Sequence, residues 1–335
     1  MMTCFRLYSA CIPVKGASRS IICNLERGNF NYIPNSLYDI LTEYKNCSLD
    51  KIKDDFDESS HAELDKHFSF LIENGFGFWC DTPEEFIDMD LAWDRSSPIT
   101  NAIIDINDFS KYDISEAIRQ LDDFRCEALQ LRVFNIISIE EIHQILSPTK
   151  ESNFMSIELY LKYHPMYSES FIRDLCKEYE RIRFLVVHSS PEEKIISAKD
   201  DYYNAWYEKT ELKDESHCGN ISRKYFSPNI SLFTESQHFN NCLNRKISVD
   251  KEGNIKNCPS MVSSYGNIRD TSLKAALGKQ GFKDTWTIRK DEIEVCRDCE
   301  FRYICTDCRA YTLSAENKYS KPSKCTYDPY TTLWA

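Results

Sequence analysis

Glycine is scarce in this chain: 9 residues in 335. There is no G-x-G-x-x-G and no G-x-x-x-x-G-K-[ST], so the backbone loops that cradle nucleotide phosphates are missing. Gly75 and Gly77 form a close pair without a third partner, and no G-x-S-x-G elbow is present. Nucleotide-driven and serine-hydrolase chemistry are both disfavoured. Long apolar runs are missing too, since none approaches the roughly 18 residues that cross a bilayer. The opening MMTCFRLYSACIPVKG has no apolar stretch after a basic start, so it does not read as a signal peptide. A cytoplasmic protein with no membrane partner is expected. Positive charge is in deficit, with 41 Lys and Arg against 53 Asp and Glu, a net charge of −12. That balance repels a phosphate backbone, so nucleic acid is not an expected partner.

What the chain does have is cysteine, fifteen of them. A reducing compartment keeps thiols free, so cysteine richness there argues for metal or catalysis rather than disulfides. Apolar content of 42% with 28% charged residues marks a folded, globular chain. Its length suits two or three domains, each with a core of its own.

The first segment, residues 1–90, opens with strand-like runs at 5–12, 20–25 and 30–33, separated by Lys15-Gly16 and Arg27-Gly28 turn signals. Leu37, Ile40 and Leu41 then keep helical spacing, and Ser60 with Glu63 has capping-box spacing. Leu64, Phe68, Leu71 and Ile72 make one helical stripe, and residues 75–80 read as a closing strand. Three strands, three short helices and a strand form a winged-helix pattern. On an acidic chain such a wing suits a peptide added along an open strand edge better than DNA. Tyr32 and Ile33 on the third strand and Lys66 and Phe70 on the third helix would border that groove.

The second segment, residues 91–200, alternates regularly. Apolar runs begin near Ala102, Leu129, Ile157 and Leu185, as expected of parallel strands buried on both faces. Helices start between them at Asp113, Ser138 and Ser168, each a capping residue. The expected fold is α/β, with these units forming a partial βα barrel or an open sheet.

In the third segment, residues 201–335, cysteine spacing is the main order. The run Cys296, Cys299, Cys305, Cys308 has the form C-x2-C-x5-C-x2-C, and Cys242, Gly253 and Cys258 form C-x10-G-x4-C. A C-x2-C pair places two thiolates on one metal or one cluster edge. Zinc ribbons usually separate their ligand pairs by about 12–20 residues, whereas the gap here is five, a compactness typical of iron–sulfur proteins. Cys325 downstream makes seven thiols, and Cys218 an eighth. A zinc-stapled interaction module is the alternative.

This arrangement resembles the SPASM domain, the auxiliary-cluster module of radical-SAM peptide maturases. Cys308 departs from that pattern, following Cys305 after two residues where three are usual. The resemblance implies two [4Fe-4S] clusters. Cys296, Cys299, Cys305 and Cys325 would hold one. Cys242, Cys258 and Cys308 would hold the other, completed by Cys218, preferred because a thiolate is the default ligand, or else by His238 or an open site. By similarity, residues 98–190 resemble the first four units of a radical-SAM partial barrel, and the N-terminal segment resembles a RiPP recognition element, which binds leader peptides. The stretch from Phe233 to Tyr311 is most similar to the grasp-with-spasm maturases, which accompany an ATP-grasp peptide ligase. A ribosomal precursor peptide and that ligase are the implied partners.

One part of the family pattern is missing. Radical-SAM chemistry needs C-x3-C-x2-C after the first barrel strand, and the corresponding loop, Asn107 to Ile114, contains no cysteine. Of a Gly-Gly-Glu contact to the SAM amine, Arg125-Cys126-Glu127 keeps only the glutamate. SAM is therefore not an expected cofactor. Cys176 reads as a buried helix thiol and His188, at the end of the fourth run, as structural. No catalytic residue presents itself. A leader-binding scaffold for a partner ligase is the leading expectation, and a redox enzyme with an open cluster site the runner-up.

Overall fold

The computed structural model describes residues 3–335. In the N-terminal segment β1 (Cys4–Leu7) pairs antiparallel with β5 (Gly77–Cys80), bracketing everything between. Strands β2 (Cys11–Val14), β3 (Ser20–Asn24) and β4 (Asn29–Ile33) form a second antiparallel sheet with β3 in the middle. The run expected at 5–12 is thus two strands, broken by a turn in which the Cys11 amide donates to the Tyr8 carbonyl. Helices α1 (Asn35–Glu43), α2 (Leu49–Asp54) and α3 (Glu58–Glu73) follow. The capping box expected at Ser60 lies inside α3, which begins two residues earlier, after Asp57.

Every residue of β3 is buried, because the strand feeds two cores. Side chains alternate across a strand. Ile22 packs with Leu37, Phe68 and Leu71 under the helices. Ile21 and Cys23 point the other way and pack with Phe301, Ile304 and Tyr327 of the C-terminal segment.

The central sheet has eight strands in the order β10, β11, β9, β8, β7, β6, β12, β13. Its four expected strands are β6 (Asn101–Ile106), β7 (Ala128–Val133), β8 (Ser156–Lys162) and β9 (Ile182–His188), all parallel. Between them lie α4 (Ile114–Asp123), α5 (Ile139–Leu146) and α6 (Glu169–Glu178). All three helices are capped as expected: Asp113 accepts from the Glu116 amide, Ser138 forms a capping box with Glu141, and Ser168 accepts from the Phe171 amide.

Two further parallel strands extend the sheet. On one side β11 (Asn204–Tyr207) joins β9, flanked by the short antiparallel β10 (Lys194–Ile195). On the other, after α7 (Ile230–His238), β12 (Lys246–Val249) joins β6 and carries β13 (Ile255–Lys256) as a hairpin. The segment 201–335 therefore contributes three strands, β11, β12 and β13, to the α/β sheet. After α8 (Leu273–Leu277), most of the rest of the chain is held by short turns and side-chain bonds. No helix among the described residues is long and apolar enough to cross a membrane.

Candidate metal centres and peptide edge

All fifteen cysteines are free thiols. The eight cysteines named in the sequence analysis lie in two neighbourhoods.

In the first group, Cys296, Cys299, Cys305 and Cys325 line one narrow cavity of about 20 Å³, walled by Phe226, Phe301, Tyr327 and Trp334. A single turn holds Cys296 and Cys299 together, the Cys299 amide donating to the Cys296 carbonyl at 3.0 Å. Burial pushes the Cys296 thiol up to about 12 and raises Cys299 and Cys305. Burial also opposes the charge on Lys290, yet Cys305, Asp307 and Cys296 outweigh it and hold its pKa above the ordinary lysine value. The Lys290 ammonium donates to the Cys305 and Thr306 carbonyls at 3.1 and 3.2 Å.

In the second group, Cys242 lies in the electrostatic field of Cys258, Cys218 and Cys308, and burial lifts its thiol to about 12. Cys218 acts likewise on Cys258 and Cys308. The backbone after Cys218 passes against Cys308 because residue 219 is glycine. At φ +84° and with a would-be Cβ only 2.9 Å from the Cys308 Sγ, no other residue fits there without strain. Half-buried Lys246 points its ammonium at the Cys242 Sγ, 3.7 Å away. His238 faces elsewhere, its ring bonded to the Leu91 carbonyl at 3.2 Å.

Each group thus offers four thiols and one nearby lysine, the donor chemistry of a four-cysteine iron–sulfur cluster. Spacing is a separate matter. Among the described residues no three or more His, Cys, Asp or Glu side chains are set to hold a metal ion as they stand. A cavity of 20 Å³ admits about one water. Each group supplies four thiols, the number a four-cysteine cluster needs, but as placed they form no metal site.

The second group sits beside a pair that periodicity alone did not flag. Asp105 on β6 and Arg132 on β7 are register partners, and they form a bidentate ion pair at 2.6 and 2.8 Å, both buried. Arg132 also senses Cys218 and Cys258. The signal was available: one charged residue interrupts each of two neighbouring apolar runs.

Nearby, the cysteine-free loop after β6 closes as a turn, with Ser110 Oγ accepting from the Asn107 amide and donating to the Lys251 carbonyl. Glu127 precedes β7, at the opposite end of the sheet from the C-terminal rim where βα sites are built. His188 is fully buried, with ring bonds to the Val133 carbonyl and Ser189 Oγ. Cys176 is buried on α6 as expected.

On the wing, the four expected groove residues take three different places. Ile33 is 2% exposed and belongs to the domain core, and Phe70 packs half-buried against the same core. Lys66 is exposed on α3. Tyr32 lies on the seam between segments: the Arg19 guanidinium stacks over its ring at 3.8 Å and the ring of Phe301 lies 6.1 Å away. Arg19 continues to the buried Glu300 at 2.8 Å, next to Cys299. Gly16 presses on the same stretch, where a Cβ would meet the Glu300 backbone at 2.9 Å. The outer edge of β4 has no strand beside it in its sheet.

No protein-family model matches the chain. No curated protein matches it either. Among solved structures, the crystal structure of Streptococcus suis SuiB is similar at 11% identity and a TM-score of 0.33, over 96% of this chain and 98% of that one. An overlap this loose assigns neither mechanism nor ligand.

Proposed function

We propose that this protein is a cytoplasmic accessory of peptide maturation, related to SPASM-type maturases, in which two [4Fe-4S] clusters brace a leader-binding wing. The observation that carries the reading is the grouping of eight separated cysteines into two sets of four, two buried and two half-buried in each. One is Cys296, Cys299, Cys305 and Cys325, and the other is Cys218, Cys242, Cys258 and Cys308. When bound, such clusters would supply rigid cross-links and a reservoir of one electron each. The chain's own residues do the rest. Lys246 and Lys290 offset the negative charge of the thiolates inside a poorly solvated interior. The unpaired edge of β4 offers backbone donors and acceptors to a leader peptide as an added strand. The contacts Tyr32–Arg19–Glu300 link that edge to the first cysteine group. The bound precursor would then be presented to an ATP-grasp ligase.

Anaerobic purification with iron and sulfide analysis tests the reading. Brown protein with about eight irons per chain is expected. Colourless protein loaded with zinc would overturn it. Incubation with SAM and a strong reductant should release no deoxyadenosine.

A further inference from the structure

A cavity of about 430 Å³ opens in the N-terminal segment and is lined by no cysteine of either group, within the size range of small-molecule pockets. Leu7, Ile12, Ile40, Leu41, Phe68 and Leu91 make most of its wall apolar. One strong polar group belongs to it. Arg6, on β1, is only 5% exposed. Its Nη1 donates to Asn46 Oδ1 at 2.9 Å, and its Nη2 donates to the Phe86 carbonyl at 2.6 Å and to Asp88 Oδ1 at 2.7 Å. The Nε–H is buried and has no acceptor. Burying a donor of a permanently charged group without a partner is costly, so an acceptor there would be strongly favoured.

The charge at the mouth points the same way. Asp88 bridges two cations, Arg6 and Lys45, so the charged lining of the cavity carries one more positive than negative charge. That local excess stands out on a chain whose net charge is −12. The Asp88 side chain is 61% exposed and lies where the cavity meets solvent. It sits on the irregular stretch 86–91, which forms the outer wall.

From the cavity, the unsatisfied Arg6 Nε and the cationic mouth, we infer that this is a binding site for a carboxylate carried on an apolar aliphatic or aromatic body. The body fills the Leu7–Ile40–Phe68 wall. The carboxylate pairs with Lys45 and the Arg6 guanidinium beside Asp88, and it reaches the buried Nε–H once the Arg6 side chain shifts towards the cavity. Such a carboxylate could belong to a free acid or to the C-terminus of a peptide ending in an apolar residue.

Calorimetry on the full chain, with decanoate as probe and decanol as its uncharged counterpart, tests this site. Saturable one-to-one binding of decanoate is expected, at least tenfold tighter than decanol. Arg6→Lys keeps the charge but removes the Nε–H, and Lys45→Glu reverses the charge at the exposed mouth without touching the core. Both should weaken decanoate about tenfold and leave decanol unchanged, with near-ultraviolet circular dichroism unaltered in Lys45→Glu. A short peptide ending in Leu-Phe, with a free or an amidated C-terminus, separates the two sources. Preference for the free C-terminus assigns a peptide ligand, and decanoate binding without peptide binding assigns a free acid. Equal affinity for decanoate and decanol, or no binding of any probe, would overturn the inference.

Discussion

At the scale of single residues, the structure sorts charges and thiols by what surrounds them. Asp105 and Arg132 satisfy one another in the sheet interior, so losing one partner leaves a buried charge alone. Arg132→Met should lower unfolding free energy by about 3–5 kcal/mol in a urea titration, while Asp105→Leu/Arg132→Met recovers most of that loss. Gly219→Ala places a methyl against the Cys308 thiol in a left-handed conformation. Iron should fall by about half, from the second group alone, and a full iron complement would contradict the assignment of Cys218 to that group. Glu235 gives the pH dependence its sign. Burial pushes its carboxyl up to about 7, although Asn244 donates to it. A folded pKa above the unfolded value of about 4.3 means a contribution fully present at acid pH and lost as pH rises through about 7. Glu235→Gln should therefore raise Tm at pH 8 more than at pH 5, and a shift equal at both pH values would refute the assignment.

At the scale of elements, pattern and packing agree wherever one face decides the fold. Three capping residues, Asp113, Ser138 and Ser168, fixed the starts of α4, α5 and α6 in the sequence, because the cap bond is local. Helix α3 starts earlier than its Ser60 motif suggested: the Ser60 amide donates to the Asp57 carbonyl, so Ser60 already lies in the first turn. β3 shows why a continuous apolar run is ambiguous: its two faces serve different cores, one local and one contributed by residues about 280 positions away. The edge of β4 is where a leader peptide would add. Hydrogen exchange at residues 29–33 should slow on adding the precursor's leader and stay unchanged at β3, which is already paired on both sides. Unchanged exchange across β4 would remove the recognition role.

At the scale of the whole molecule, the three segments are not independent. β12 carries the cysteine-rich segment into the central sheet beside β6, and Phe301 ties the wing to the first cysteine group through Phe30 and Tyr32. Replacing Cys296 and Cys299 by Ala should therefore lower iron by about half and also loosen leader binding, through Arg19–Glu300. Replacing Cys242 and Cys258 should remove the other half of the iron with less effect on the leader. Equal effects of the two pairs on leader affinity would sink this coupling.

Local signals in the sequence determined the α/β alternation, the helix starts, the missing cysteine loop and the compact C-x2-C pairs. Each depends on neighbours within one turn or one strand. Tertiary structure alone decided that His238 bonds the Leu91 carbonyl, that Ile33 is core, that β12 extends the sheet, and that Arg6 lines an apolar cavity with an unpaired donor. Those outcomes depend on which distant surfaces meet, and a one-dimensional pattern does not encode that pairing until the chain closes on itself.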